Sequence, residues 1–264
     1  MSAPLRVLVR GIGDVGSAVA HVLHAAGMRV VMHDVPAPAH TRRGMAFTDA
    51  MFDGKTELAG LFAKRSAEPS HLRQMIACGR AVPVVAGDVA DLVTQVAPDA
   101  VVDARMRKRE VPEEQRHLAR FTIGLGPNFT AGRQTDLAIE SSWGVSLGEV
   151  VRAGATRPLE GEPRDIEGHR RERYLYAPTA GVFVTTLGIG TRVQAGELVA
   201  RVGDVPLLAP MSGRLRGLTH DGVMVAAGTK VVEVDPRDEA AEIYGLGARP
   251  HRIALGVLEA LRSL

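Results

Sequence analysis

The chain opens on a short apolar run, Val7-Leu8-Val9, and then changes period. From Val15 the apolar positions Ala18, Val19, Val22, Leu23 and Ala26 recur at helical spacing, and Gly27 follows as a C-cap. Arg29 to His33 reads as a second strand, with Asp34 at its end. The alternation continues. Residues 55–65 read as extended, and 70–79 as a helix with Ser70 as its N-cap. "AVPVVAG" reads as a buried strand, "DVADLVTQVA" as a helix capped by Asp88, and Ala100 to Val102 and Phe121 to Leu125 as strands. Strand and helix in turn predict an α/β domain over residues 1–158, Rossmann-like, with a mostly parallel sheet.

Past residue 158 the pattern shortens. "APTAGVFVTTLGIGTRVQAG" begins at Ala177 and "APMSGRLRGLTHDGVMVAAG" at Ala209, aligned without a gap. Each half holds short β-rich runs broken by glycine turns, too few strands to bury a core alone. The expectation is a smaller all-β domain over 177–236, built from two repeats that pair into a flattened barrel. A charged linker over 159–176 precedes it. A tail over 237–264 ends in an amphipathic helix from Pro250, with Ile253, Val257, Leu258 and Leu261 on one face.

Composition narrows the class. Apolar residues make up 45% and charged residues 23%, as in an ordinary globular protein. Aromatics at 4% and a net charge of +2 speak against nucleic acid or a membrane surface as partner. Cys78 is the one cysteine, so a disulfide or a cysteine-based metal site within the chain is excluded, and we expect no metal site. Its bland reading is a buried small apolar residue. With no apolar run of membrane-spanning length and no signal-peptide pattern, a cytoplasmic location is expected.

The candidate chemistry starts between the first strand and helix. Gly11, Gly13 and Gly16 stand in G-x-G-x-x-G spacing, and Asp34 follows at the end of the next strand. In that context glycines permit a tight turn, helix amides favour an anion, and Asp34 can take a ribose hydroxyl. Arg10 and Asp14 disturb the simple pattern. Asp14 suits the helix dipole but opposes a pyrophosphate; it either shapes an unusual site or only caps the helix. Arg42 and Arg43 either meet an anionic group or lie on a solvated turn. Asp103 and Arg105 fall at a strand's carboxyl end, where ligands of open α/β sheets bind. Gly124, Gly126, Asn128 and Thr130 form a second glycine loop, which either cradles an anion or turns at a sheet edge.

Two resemblances add to this. The doubled module resembles a biotinyl/lipoyl-like barrel-sandwich hybrid, whose hairpin tip carries a modified lysine. Gly203 and Asp204 stand at the tip here, and no lysine lies between residues 109 and 229, so no covalent biotin or lipoyl is expected. Along nearly its full length, through "VRGIGDVGSAVAHVLHAAGMRVV", "TRRGMAF", "VVDARMRKR", "IGLGPNFTAG", "APTAGVF" and "APMSGRLRGL", the chain resembles the YqeB-like accessory proteins of the selenium-dependent molybdenum hydroxylase system. The resemblance implies a maturation role. The protein would bind a phosphorylated ligand, a nucleotide or molybdopterin-type cofactor, in the Rossmann-like crevice and dock on an apo-molybdenum hydroxylase. An NAD(P)-dependent oxidoreductase and a non-catalytic scaffold are the competing readings. The sequence leaves open whether there is catalysis and whether the chain forms a homo-oligomer.

Overall fold

The structure, a computed structural model, describes residues 3–263 apart from 109, 160 and 162. Leu264, in the expected last helix, lies outside the described residues. The first part of the chain forms β1 (Arg6–Arg10), α1 (Asp14–Ala25), β2 (Arg29–His33), the short α2 (Ala50–Asp53), β3 (Lys55–Leu58), β4 (Leu61–Arg65) and α3 (Pro69–Cys78). It continues through β5 (Val82–Val85), α4 (Val89–Val96), β6 (Ala100–Asp103), β7 (Phe121–Leu125), β8 (Thr130–Ala131), β9 (Leu137–Ile139), β10 (Val150–Val151) and β11 (Gly154–Ala155). The second part forms β12 (Tyr174–Tyr176), β13 (Gly181–Val184), β14 (Arg192–Val193), β15 (Leu198–Val202), β16 (Val205–Leu208), β17 (Gly213–Leu218), β18 (Met224–Val225) and β19 (Lys230–Asp235), and ends in α5 (Ala248–Arg262).

Local chemistry sets several of these boundaries. Asp88 Oδ1 accepts from the Ala90 and Asp91 amides and caps α4. Gly79, at φ +64°, ends α3. The stretch 55–65 is a hairpin, because Ala59 and Gly60 both take positive φ and reverse the chain between β3 and β4.

The large sheet has nine strands in the order β10-β9-β7-β6-β1-β2-β5-β4-β3. The sheet is mostly parallel, with antiparallel pairs at both edges. Its order corrects the expected Rossmann-like domain: β5, not the preceding β4, lies beside β2, and β4 is pushed outward with its hairpin partner β3. Helices are few. Among the described residues none lies between β6 and β10, so that half grows without βαβ crossovers.

The missing cover comes from the far end of the chain. Helix α5 packs along α1 and against β9 and β10. Its Ile253, Ala254, Val257, Leu258, Ala260 and Leu261 join Val15, Ala18, Val19 and Leu23 of α1 and Val7 and Val9 of β1 in one core. Helix α1 is therefore buried on more than one face. The opposite face of the sheet, through Leu8, Val31, Val85 and Val101, meets Leu72 of α3 and Leu92 and Val96 of α4. Cys78, expected to be buried, is exposed at the end of α3.

The second part is two four-stranded sheets, β12-β19-β17-β14 and β16-β15-β13-β18, around a core of Phe183, Val202, Leu215, Leu218, Val231 and Val234. The two sheets correspond strand for strand at the repeat spacing, and each combines two strands of one repeat with two of the other. β14 of the first repeat pairs with β17 of the second, and β18 of the second pairs with β13 of the first. The module is written twice because neither copy completes a sheet alone. The two facing sheets do not establish a barrel-sandwich hybrid of biotinyl/lipoyl type, and that expectation is withdrawn with the Rossmann one. Among the described residues no helix is long and apolar enough to cross a membrane.

Candidate functional site

The turn after β1 is built by contact. A side chain at Gly11 would meet the Ala104 carbonyl at 2.8 Å, and one at Gly16 would sit 1.9 Å from the Gly11 carbonyl oxygen. The glycines thus let α1 start against the β6 end. Two polar groups of this turn are engaged within the protein. Ile12 N–H donates to Asp34 Oδ2 at 2.9 Å, and His40 Nε2 lies 2.8 Å from the same oxygen. Burial opposes ionisation of Asp34, but the His40 contact and the Ile12 and Val35 amides outweigh it and hold the carboxyl below its ordinary range. In the crevice expected to take a phosphorylated ligand, Asp34 and the Ile12 amide thus meet the protein's own groups.

Other predicted residues fall into two further groups. Asp103 accepts from Arg105 Nε at 3.0 Å and Nη2 at 2.6 Å and from Gln115 Nε2 at 2.7 Å. Arg10 donates to Gln115 and, at 3.2 Å, to Glu113, which also meets Arg105 and Arg107. This network closes the carboxyl ends of β1 and β6. Burial and the Arg105 charge lower the Arg10 pKa. In the second glycine loop, Gly124 makes room for the Phe129 ring, and Gly126, at φ +107°, offers its carbonyl to Thr156. Asn128 Nδ2 donates to the Glu110 carbonyl and the Thr130 amide to Gln134. These contacts tie the loop to Glu110, Gln134 and Thr156.

Asp14 and Arg42 lead elsewhere, to the seam between the two parts of the chain. The loop over 36–44 straps onto β17: Leu218 N–H donates to the Thr41 carbonyl at 2.8 Å, and Arg43 Nε to the Leu218 carbonyl at 2.8 Å. Arg43 also pairs with Asp49 at 2.6 Å. Next to it, Arg42 reaches Asp14 Oδ2 at 3.1 Å and forks onto Glu233, with Nε at 3.0 Å and Nη2 at 3.2 Å.

Glu233, on β19, is fully buried and gathers four cations. Besides Arg42 these are Arg173 at 3.2 Å, Arg216 at 3.7 Å and Lys230. The Lys230 ammonium also lies 3.7 Å from the centre of the Tyr174 ring. Burial opposes the Glu233 charge, but Arg42 and Lys230 hold its carboxyl well below the usual range. Burial first, and then the positive charges of Arg42 and Lys108, lower the Lys230 pKa to about 8, against the pull of Glu233. Asp14 is desolvated too, yet Arg42 and Arg249 keep it ionised below its ordinary value. Arg216 Nε is buried with no hydrogen-bond partner. The seam remains open to water, with Asp14, Lys230 and Arg42 exposed by 23%, 26% and 27%. Among the described residues no group of three or more His, Cys, Asp or Glu comes together to hold a metal.

Sequence reasoning found Asp14 and Arg42 but missed Lys230, Glu233, Arg173 and Tyr174. One signal was readable: "KVVEVD" places three charges in a strand that is otherwise all valine.

No family model matches the chain. It is 35% identical over 258 residues to "Uncharacterized protein YqeB" of Escherichia coli (strain K12), covering 98% of this chain and 47% of that protein. The chain therefore spans about half the length of the curated relative it matches. The similarity supports the resemblance to YqeB-like proteins. Among solved structures, the chain is similar to the ectoine utilization protein EutE (DoeB) of Ruegeria pomeroyi, at TM-score 0.26 and 13% identity over 88% of this chain and 85% of that one. It is also similar to a succinylglutamate desuccinylase of Silicibacter sp. TM1040, at 0.25 and 14% over 89% and 85%. A third is an aspartoacylase family protein of Mesorhizobium loti, at 0.26 and 11% over 89% and 86%. Likeness this slight transfers no activity. The engagement of Asp34 and the Ile12 amide within the protein corrects the expected function: nucleotide or molybdopterin binding in the crevice and NAD(P)-dependent oxidation are set aside, and molybdenum hydroxylase maturation with them.

Proposed function

We propose that the protein binds a small carboxylate-bearing molecule at the seam, against Lys230 and Arg42. The observation that carries this reading is the surplus of cations at a place water still reaches. Among the described residues Arg42, Arg173, Arg216 and Lys230 converge on the carboxylate of Glu233, and the charges of Lys108 and Arg249 act on the same cluster, against Asp14 on Arg42 and Asp235 and Glu242 on Arg216. A clustered surplus of one sign, walled by protein, concentrates the opposite ion. Arg42 already shows the preferred geometry, since its fork holds a carboxylate through two N–H groups. A phosphate is less well served, because the Ile12 amide at the start of α1 is committed to Asp34 and the Asp14 carboxylate stands beside it.

The ammonium of Lys230 is the adjustable contact. With its pKa near 8 it is charged at neutral pH and loses its charge as pH rises, so affinity falls through that range. The test is thermal unfolding in a panel of mono-, di- and tricarboxylates against chloride at matched ionic strength. A ligand at a hundred times its Kd adds about 2.7 kcal/mol. Stabilisation by one carboxylate class, lost in Lys230→Met while that variant stays folded, supports the proposal. No stabilisation by any carboxylate refutes it.

A further inference from the structure

One lysine of the seam has surroundings that suit more than ion pairing. Lys230 opens β19, and its ammonium contacts Glu233 Oε2. Arg42 Nε donates to that same oxygen at 3.0 Å, so the two cations stand side by side on one carboxylate. The Tyr174 ring closes one side of the ammonium, with Nζ 3.7 Å from its centre. Lys230 is 26% exposed and Glu233 not at all, so a small molecule arriving from water meets the lysine first. Arg42 also has donors to spare. A guanidinium carries five N–H groups. Nε and Nη2 each give one to Glu233 and Nη1 gives one to Asp14, which leaves one on each terminal nitrogen.

We propose that the carboxylate taken up at the seam belongs to a 2-oxo acid, and that Lys230 Nζ captures its C2 carbonyl as an imine. This ligand class rests on the carboxylate reading above and narrows it. Adjacency selects the class. In a 2-oxo acid the carbonyl carbon is bonded directly to the carboxyl carbon, so a carboxylate held by Arg42 sets the electrophile beside Lys230. A 4-oxo acid carries its carbonyl two carbons further along the chain.

The step balances without a co-reactant. Lys230 releases one proton to water, its nitrogen lone pair forms the C–N bond, and the carbonyl oxygen becomes the hydroxyl of a carbinolamine. The C–O bond then breaks, and the hydroxyl takes a proton from solvent and leaves as water. Ammonium and 2-oxo acid thus become iminium and water, with no change of oxidation state or net charge. Because the iminium stays cationic, Glu233, the Tyr174 face and the ligand's own carboxylate keep a positive partner throughout. Lysines that attack carbonyls are desolvated or stand beside another cation. Lys230 meets both conditions. Burial, and then the charges of Arg42 and Lys108, act against Glu233 and lower its pKa to about 8, and Asp14 is the further charged group that acts with it. By contrast, Lys55 and Lys64 pair across the hairpin of β3 and β4 at the sheet edge.

The experiment is reductive trapping on the native chain. The protein is incubated at neutral pH with pyruvate, 2-oxoglutarate or 4-oxopentanoate, reduced with sodium cyanoborohydride to fix any imine as a secondary amine, and mapped by peptide mass spectrometry. The expected result is a reduced 2-oxo acid adduct on Lys230 that forms at least about tenfold faster than on Lys55 or Lys64. A pKa near 8 in place of 10.5 leaves on the order of a hundredfold more free amine at neutral pH, part of which lower nucleophilicity offsets. Thermal unfolding with the same acids, and with lactate, which has no carbonyl to capture, separates binding from imine formation. Stabilisation by these carboxylates with no adduct on Lys230 overturns the imine and leaves the carboxylate site standing. Neither stabilisation nor adduct overturns both. Adducts spread evenly over the lysines, or equal capture of 4-oxopentanoate, overturn the assignment to Lys230 and to 2-oxo acids.

Discussion

At the scale of single residues, Glu233 bears the most. It is a fully buried carboxylate shared by Arg42, Arg173, Arg216 and Lys230, and replacing it leaves those cations facing one another. Glu233→Gln is expected to cost about 3–5 kcal/mol, the usual loss when one partner of a buried ion pair is removed, measurable by urea unfolding. The same change pushes the Lys230 pKa further below 8, because Glu233 is the group that raises it. Gly16 is the backbone counterpart. Its missing side chain leaves room for the Gly11 carbonyl, and Gly16→Ala is expected to cost more than about 4 kcal/mol or to prevent folding, read by the same titration. The glycine spacing made this turn legible in the sequence. The fate of its polar groups was not, because Asp34 meets His40 only once the loop over 36–44 has folded back.

At the scale of elements, periodicity located the strands and helices well. α1 and α4 lie where the apolar spacing and Asp88 put them, and β5 and β7 where their β-branched runs begin. Strand order was not legible, since pairing is decided by distant partners. The residue pattern of 55–65 fits one extended run as well as the hairpin that displaces β4 to the edge. The last helix shows the same limit. Its amphipathic face was readable, but not that it completes the core around α1. A chain ending at residue 247 exposes the face of α1 that Ile253, Val257 and Leu261 cover. It is expected to lose its cooperative thermal transition, as followed by circular dichroism, while the native chain keeps it. The repeat was legible as a repeat, and the crossed strands β14 and β18 explain why two copies are needed.

At the scale of the molecule, the seam joins side chains that lie far apart in sequence. Asp14 comes from the start of α1, Arg42 from a loop, Arg173 and Tyr174 from the edge of β12, and Lys230 and Glu233 from β19. No local motif spans such a set, which is why the sequence yielded two of its members and not the site. The seam also ties stability to pH. The unfolded chain holds the Lys230 proton up to the ordinary value of 10.5, whereas the folded chain releases it at about 8. Between those values the unfolded state binds more protons, so Lys230 makes the fold gain stability as pH rises. Urea midpoints of the native chain are expected to improve across that window relative to those of Lys230→Met. The most direct measurement of the seam as a carboxylate site is the titration of the Lys230 side chain by NMR, assigned with Lys230→Met, with and without the stabilising carboxylate. The account predicts a pKa near 8 in the free protein and a rise when the carboxylate is bound, because a ligand anion beside the ammonium favours its charged form. A titration that the carboxylate leaves unchanged would contradict it.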